Sequence, residues 1–381
     1  MTPTDPAATD RSRPRTGPAR PALLRTINDE VALRLLLERG PSSRSDVVRL
    51  TGVSKPTGSQ MFARLELAGL VRPVGVTRGK PGRTALLYEI NPDAGLAAAI
   101  DVTPVNIHAQ VANLAGAVIG EHELARPSRT AGSGPANALD TLDRALEAAG
   151  RRRSEVTCLV VAATGSYDAA ADLLRYARHL HGWHNAGLVR ALQPADGVPV
   201  VIENDVNLAA VAERRAGAAR DLADFFLFWV GDGIGGALML EDRLRRGATG
   251  GAGEVAFLQP PGAAVVHNPA RGGSGGLQRW TDGSELADLA RAHGLRGKDA
   301  AALVAAAVAS GAPSSGQFLD ALALRYALGL SAVIAVLDPG AIVLAGPVLA
   351  AGGEQLRGRI GRHLDDLAVA SPRLVCGTVQ G

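Results

Sequence analysis

Two small groups of residues and one loop have the types and spacing to do chemistry. Asn204 and Asp205 follow the strand-like run 198–203 and open a helical pattern, which sets an amide beside a carboxylate at the carboxyl end of a buried strand. Open α/β sheets bind ligands at that end, and such a pair can satisfy adjacent hydroxyls. Glu254, behind the Gly-rich turn 247–253, adds a carboxylate able to accept from a further hydroxyl. Plain helix capping is the simpler role for Asp205. The second group is Ser54, Lys55, Thr57, Ser59 and Gln60, with Arg64 one turn on, at the start of a helical pattern behind the tight turn Thr51-Gly52-Val53. Its hydroxyls and amide suit base edges, while Arg64, and Arg44 at the start of the preceding helix, suit phosphates. The loop Arg78-Gly79-Lys80-Pro81-Gly82-Arg83 joins small residues to cations, a composition that fits the narrow minor groove of A·T-rich DNA.

The elements that must position these groups fall into two patterns. Residues 1–21, rich in Pro, Thr, Ala and Arg, have no apolar periodicity and read as a disordered tail. Residues 22–92 show three short helical patterns, near 26–38, 43–50 and 54–68. Ser43 can cap the second, with Asp46 placed to complete a capping box, and Gly69 stops the third. Strand-like stretches at 70–71 and 86–88 flank the basic loop as a hairpin wing. The order is that of a winged helix-turn-helix whose third helix enters the major groove. A three-helix bundle that contacts another protein is the alternative. From residue 96 to 381, strands alternate with helices: three early strands joined by short turns, then βα units, imply an α/β body with a mixed sheet.

Composition supports this division. The net charge of +3 is unevenly spread: residues 1–95 carry 15 Lys/Arg against 9 Asp/Glu, and the remainder 25 against 28. A basic segment on a mildly acidic body fits a nucleic-acid reader with a separate sensing body. Aromatics make up only 3% of the chain, so Leu, Val and Ala must fill its cores. Cys158 and Cys376 sit in apolar, strand-like contexts, which points to a reducing compartment and excludes a disulfide scaffold. No stretch reads as a membrane span, and the N-terminus lacks an apolar signal core, so a cytoplasmic protein is expected.

Several phrases resemble the ROK family of sugar-responsive repressors and sugar kinases. They are Val201-Ile202-Glu203-Asn204-Asp205-Val206-Asn207, Val230-Gly231-Asp232-Gly233-Ile234-Gly235-Gly236, Arg246-Gly247-Ala248-Thr249-Gly250-Gly251-Ala252-Gly253-Glu254 and His181-Gly182-Trp183-His184-Asn185. The helix-turn-helix and the Gly-Lys-Pro-Gly-Arg loop look like that family's repressor branch. The resemblance implies an actin-like, two-lobed sugar-kinase fold behind the winged helix. It matches Asp205 to the kinases' general base and Gly165 to a close-approach glycine beside the sugar.

The departures bear on function. The first phosphate loop, Asp-x-Gly-Gly-Thr in the kinases, is Asp101-Val102-Thr103-Pro104-Val105 here, and Asp232 replaces a usual Thr in the second. Phosphoryl transfer depends on cradling those phosphates, so catalysis is not expected. The family's zinc histidine aligns with Phe257, its three cysteines with Pro269, Arg271 and Gly276, and its final Glu with Gln278. No metal or cofactor is therefore expected, and Phe257 should pack into the space of the histidine and its metal. The expected ligand residues are Gly165, Asn204, Asp205, Glu254 and Gln278. Together these readings give a regulator, as a homodimer or homotetramer, that binds operator DNA in the major groove and the A·T-rich minor groove. A sugar or sugar derivative would shift its affinity. A body that has lost sensing and only assembles, and a sugar kinase, are the alternatives.

Overall fold

The computed structural model describes residues 21–78, 84–125, 133–177, 179–262, 265–267, 275–281 and 283–379. The chain divides into two compact units: residues up to Leu96 with Ala112–Ile119, and Ala97–Val111 with Gly120 onward.

The first unit holds α1 (Pro21–Arg39), β1 (Ser42–Ser43), α2 (Arg44–Thr51), α3 (Lys55–Leu67), β2 (Val71–Arg78) and β3 (Thr84–Ile90). The local signals in the sequence fix its ends. The Ser43 hydroxyl accepts from the Asp46 amide at 3.2 Å and donates to the Asp46 carboxylate at 2.6 Å. The Ser43 hydroxyl bond and the one from Arg49 hold the Asp46 carboxyl below its ordinary range, and the Ser43 backbone amide adds a smaller contribution, the return contact of a capping box. Gly69, at φ +68, ends α3: its N–H reaches Glu66 O and the Leu70 N–H reaches Leu65 O, each at 2.9 Å. This is the paired bonding of a Schellman turn. β3 is central in an antiparallel sheet of order β1-β3-β2. Ala32, Leu36, Val47, Met61, Phe62, Leu65, Val71, Tyr88 and Ile90 form one core beneath the three helices.

The second unit is built on two five-stranded sheets. The first takes β4 (Leu96–Val102), β5 (Asn106–Asn113), β6 (Val118–Ala125), then, after α4 (Ser133–Ala148), β7 (Val156–Ala163). A short ladder, β8 (Ser166–Asp168) with β9 (Leu173–Arg175), and α5 (Leu188–Leu192) precede β10 (Val200–Asn204), which lies parallel to β7. The order in this sheet is β10-β7-β4-β5-β6. After α6 (Asp205–Ala216) the second sheet begins with β11 (Phe225–Val230), β12 (Ile234–Leu240) and β13 (Arg243–Arg245). Helices α7 (Gly276–Thr281), α8 (Gly283–Ala292), α9 (Ala300–Ser310) and α10 (Pro313–Leu337) lead to β14 (Ala341–Ala345), α11 (Pro347–Leu367) and β15 (Arg373–Cys376). The order there is β13-β12-β11-β14-β15, antiparallel on the β12 side of β11 and parallel on the other.

The run Phe225-Phe226-Leu227-Phe228 in β11 shows why the second sheet is central. Successive side chains leave opposite faces, and here both faces are buried. Phe226 and Phe228 enter the larger core with Leu277, Phe318, Tyr326 and Leu356, while Phe225 and Leu227 meet Val206 and Ala210 of α6. Each such ring stabilises by about 1.5–3 kcal/mol relative to exposure. α10 corrects one expectation: 25 residues long with a mean hydropathy of 1.7 in its most apolar stretch, it has the length and composition of a membrane span. Its apolarity has a physical cause within the fold, since Phe318, Leu319, Leu322, Tyr326, Leu330 and Ile334 face the core.

At its far end, α6 secures the last described residues. Glu213, fully buried, accepts from the amides of Ala218 (2.7 Å), Thr378 (2.7 Å) and Val379 (2.8 Å). One side chain thus closes the turn after α6 and holds the segment beyond β15.

Candidate functional site

The first-unit residues singled out by sequence separate into two kinds. Ser54 caps α3, accepting from the Thr57 amide at 3.3 Å, and its hydroxyl lies 2.8 Å from that of Thr57. Lys55, Ser59 and Gln60 are exposed along the first turns of α3, opposite the buried Met61, Phe62 and Leu65. Gly58 lets the two helices meet, since a β-carbon there would stand 2.1 Å from a Val48 methyl.

Arg44 and Arg64, expected at phosphates, both have carboxylate partners within the unit. Arg44 pairs with Glu66 at 2.7 Å, donates to the Tyr88 hydroxyl and lies over the Tyr88 ring, 4.8 Å from its centroid. Arg64 makes a two-pronged pair with Asp29 of α1, at 2.5 and 3.2 Å. Two-point bonding of this kind fixes a guanidinium more firmly than one contact does. These two cations tie α2 to α3 and β3, and α3 to α1. A clue was present for Arg44: a cation at a helix start opposes the helix dipole, so it needs a carboxylate elsewhere. Arg78 closes β2 opposite Thr84. Lys80 and Arg83 lie outside the described residues, as does the side chain of Arg78.

In the second unit, Asn204 ends β10 and caps α6, so the cap role belongs to it and not to Asp205. Its Oδ1 accepts from the Asn207 amide at 3.1 Å and its Nδ2 donates to Gly165 O at 2.9 Å. The amide expected to face ligand hydroxyls is thus largely committed to the scaffold. Gly165, at φ +97, is required for the approach: a β-carbon would fall 2.5 Å from Arg175 O. Asp205 begins α6, half-buried, with one carboxylate oxygen accepting from the Val206 amide at 2.9 Å. Burial pushes its carboxyl up, and the charge of Asp101 adds to this. Glu254 is likewise raised, by burial first and by Asp205 second. It is set against β12 by Gly253 (φ +90), where a β-carbon would fall 2.1 Å from Gly236 O. Asp101, at the end of β4, is raised by burial, with His108 opposing. The charge of Asp101 thus reaches Asp205, and that of Asp205 reaches Glu254, which makes the start of α6 an acidic region. Among the described residues no cluster of His, Cys, Asp and Glu has the arrangement to hold a metal ion.

A second carboxylate that sequence reasoning passed over anchors this region. Glu203 is 5% exposed and pairs with Arg246 at 2.5 Å, while accepting from Asn204 N (3.0 Å) and Asn207 Nδ2 (2.8 Å). A carboxylate inside a strand can stay buried only with such partners, and that was the available signal. Arg246 belongs to the second sheet's side, so this pair, with the Ser166 hydroxyl on Thr249 O (3.2 Å), joins the two halves of the unit.

Both loops matching phosphate binders are closed on themselves. The Thr103 hydroxyl accepts from the amides of Val105 (3.3 Å) and Asn106 (3.0 Å), and Pro104 has no amide hydrogen to offer. In the second loop Gly231 N–H reaches Gly233 O at 2.9 Å, and Ile234 N–H is taken by Gln278 Oε1 at 2.7 Å. Gln278, expected at the ligand, thus braces the Asp232 loop. Phe257 is half-buried against Tyr176, ring centroids 5.4 Å apart. Of the positions aligned with cysteines, Gly276 starts α7, and Pro269 and Arg271 lie outside the described residues.

Two five-stranded sheets joined through a helix with an acidic first turn, following a separate unit of three helices and a small sheet, define an α/β body with an N-terminal unit of its own. Residues 97–374 match the ROK family, and the chain belongs to it. The body has that family's actin-like sugar-kinase fold. The chain is 28% identical over 241 residues to a putative xylose repressor of Caldicellulosiruptor sp. (strain Rt8B.4), covering 62% of this chain and 59% of that protein. It is 25% identical over 294 residues to a glucokinase of Halalkalibacterium halodurans, covering 73% and 87%. A crystal structure of a ROK family transcriptional regulator, a homolog of the E. coli MLC protein, superposes with a TM-score of 0.77 at 19% identity, covering 94% of this chain and 93% of that one. The chain spans about three-fifths of the length of the xylose repressors it matches.

Proposed function

We propose that this chain is a transcriptional regulator, a repressor of carbohydrate-related genes, that reads operator DNA through a winged helix-turn-helix over residues 22–92. The observation that carries the reading is α3: a Ser54-capped helix, stopped by the Gly69 turn, that exposes Lys55, Ser59 and Gln60 and runs into the β2–β3 pair. In this reading the start of α3 enters the major groove and Arg78, Lys80 and Arg83 follow the minor groove. A sugar or sugar derivative at Asp205 and Glu254, beside Gly165 and Asn204, shifts operator affinity. The protein works as a homodimer or homotetramer in the cytoplasm, without a cofactor or resident metal. The relatives named as xylose repressors and the solved ROK regulator support this assignment. The test is fluorescence anisotropy with DNA from the chain's own upstream region against shuffled DNA at fixed salt. Preference for the upstream DNA, altered by Gln60→Ala, is expected; equal affinity for both would overturn the proposal.

A sugar kinase is the second reading, favoured by one observation: the raised Asp205 carboxyl suits a general base. The closed Thr103–Asn106 turn and the Gln278-braced Asp232 loop oppose it, because their amides are already bonded. A coupled assay with ATP over common hexoses and amino sugars is expected to stay at background. Turnover lost in Asp205→Asn would establish the kinase instead.

A further inference from the structure

Tyr176 and Phe257 have no part in the scaffold just described, yet Phe257 stands three residues after Glu254, and Tyr176 lies between the residues that pack on Gly165, whose carbonyl accepts from Asn204 beside Asp205. Tyr176 follows β9 directly, between Arg175 and Ala177, the two residues that crowd Gly165. Phe257 closes the single turn opened by Glu254, its amide bonded to Glu254 O at 3.2 Å. The first ring belongs to the first sheet's side and the second ring to the other. They meet at 5.4 Å with planes 54° apart, the tilted geometry of an attractive aromatic pair. Tyr176 nevertheless keeps 41% of its surface exposed and holds φ at +61, a backbone conformation that is costly for a bulky side chain. An exposed ring held in an unfavourable conformation has a use outside the folded core.

The geometry points to Tyr176 and Phe257 as the specificity-determining wall beside the acidic site, selecting an uncharged glycoside whose apolar or aromatic aglycone packs on the two rings. This rests on the reading of the Asp205–Glu254 region as a saccharide site. Hydroxyls of the sugar pair with Asp205 and Glu254, while the ring faces offer only carbon, the Tyr176 hydroxyl sitting at the ring edge. A free sugar, with hydroxyls all round, leaves some of them desolvated against carbon, and an apolar substituent does not. The carboxylates of Asp101, Asp205 and Glu254 also repel an anion, which excludes sugar phosphates and sugar acids.

Calorimetry on the full chain with methyl and phenyl β-D-glycosides of xylose and of glucose tests this. The phenyl glycoside of the preferred sugar is expected to bind about tenfold more tightly than its methyl counterpart, the scale of one aromatic contact. Phe257→Ala and Tyr176→Gly should each bring the two within about twofold, while Asp205→Asn weakens both alike. Glycine suits φ +61, so Tyr176→Gly removes the ring without endangering the fold. The phenyl-to-methyl ratio is the decisive readout, because a change of stability alone moves both ligands together. Equal binding by the wild type, or a preference that survives both ring deletions, overturns the wall and leaves the saccharide site standing. Failure of every glycoside to bind overturns the saccharide site and the wall with it.

Discussion

Replacing Glu213 should release the C-terminal segment and lower the stability of the body, and the size of the effect can be worked from its bonds. The carboxylate is fully buried and accepts from three amides, those of Ala218, Thr378 and Val379, at 2.7–2.8 Å. Bonds to a charged acceptor are worth about 1.5–3 kcal/mol each, but burying the carboxylate itself costs several kcal/mol. Moreover, the amides of Thr378 and Val379 can turn to water once the segment lifts away. Glu213→Gln keeps the volume and one acceptor oxygen, yet points an NH2 group at one of the donors. A net loss of about 2 kcal/mol follows. Glu213→Leu removes both acceptors, leaves Ala218 N–H facing carbon and should cost about 4 kcal/mol. For a body of this size 1 kcal/mol corresponds to about 2–4 °C, so the Gln variant should melt about 4–8 °C lower. Thermal unfolding of the full chain, with hydrogen exchange at residues 378 and 379, measures both effects. If Glu213→Gln stays within about 0.5 kcal/mol of the wild type with protection unchanged, desolvation cancels the bonds and the reasoning fails.

Arg44→Ala should destabilise the N-terminal unit by about 1–2 kcal/mol through loss of the ring and carboxylate contacts, while the salt dependence of DNA binding stays as in the wild type. A shallower salt slope in that variant would restore Arg44 as a phosphate contact. Alanine at Lys80 or at Arg83 should instead weaken binding to all sequences and lower the slope by about 1; unchanged slopes would remove the wing from the interface. Asp205 has a raised carboxyl in the folded state, so the stability it contributes is present below its ordinary value of 3.8 and lost as pH rises through the raised one. Asp205→Asn should therefore melt higher at pH 7, by about 1 kcal/mol, with the gap closing towards pH 4. A variant less stable than the wild type at pH 7 would refute this.

What could be read from sequence was local. Ser43, Ser54 and Gly69 act within four residues of themselves, so helix ends in the first unit were legible. Arg44 and Arg64 find carboxylates 22 and 35 residues away, and Arg246 finds Glu203 across 43. Separation of that order leaves no periodic trace, so the carboxylate partners of these cations were not legible. The short elements β8, β9, β13, α5 and α7 escaped for a related reason: three to six residues contain too few repeats for a period to show. Asn204 with Asp205 was singled out from its strand-end position, and Glu254 from the glycine turn before it. Asp101 was set aside with its altered loop, and its charge reaches Asp205 across the fold.

The Schellman turn after α3 has a consequence for how binding preference can change. Only Ala68, Gly69 and Leu70 separate the helix from β2, and two backbone hydrogen bonds lock them. Helix and hairpin therefore move as one rigid piece between two fixed ends, the Ser54 cap and the Gly69 stop. Within those ends the outward positions 55, 59, 60 and 63 form an exchangeable cassette: new side chains there leave the β2–β3 pairing untouched. One inserted residue at Leu70 does the opposite. It turns the buried Val71 outward and Arg72 into the core, because side chains in a strand alternate faces. If α3 reads DNA as proposed, altered specificity is thus open to substitution and closed to insertion.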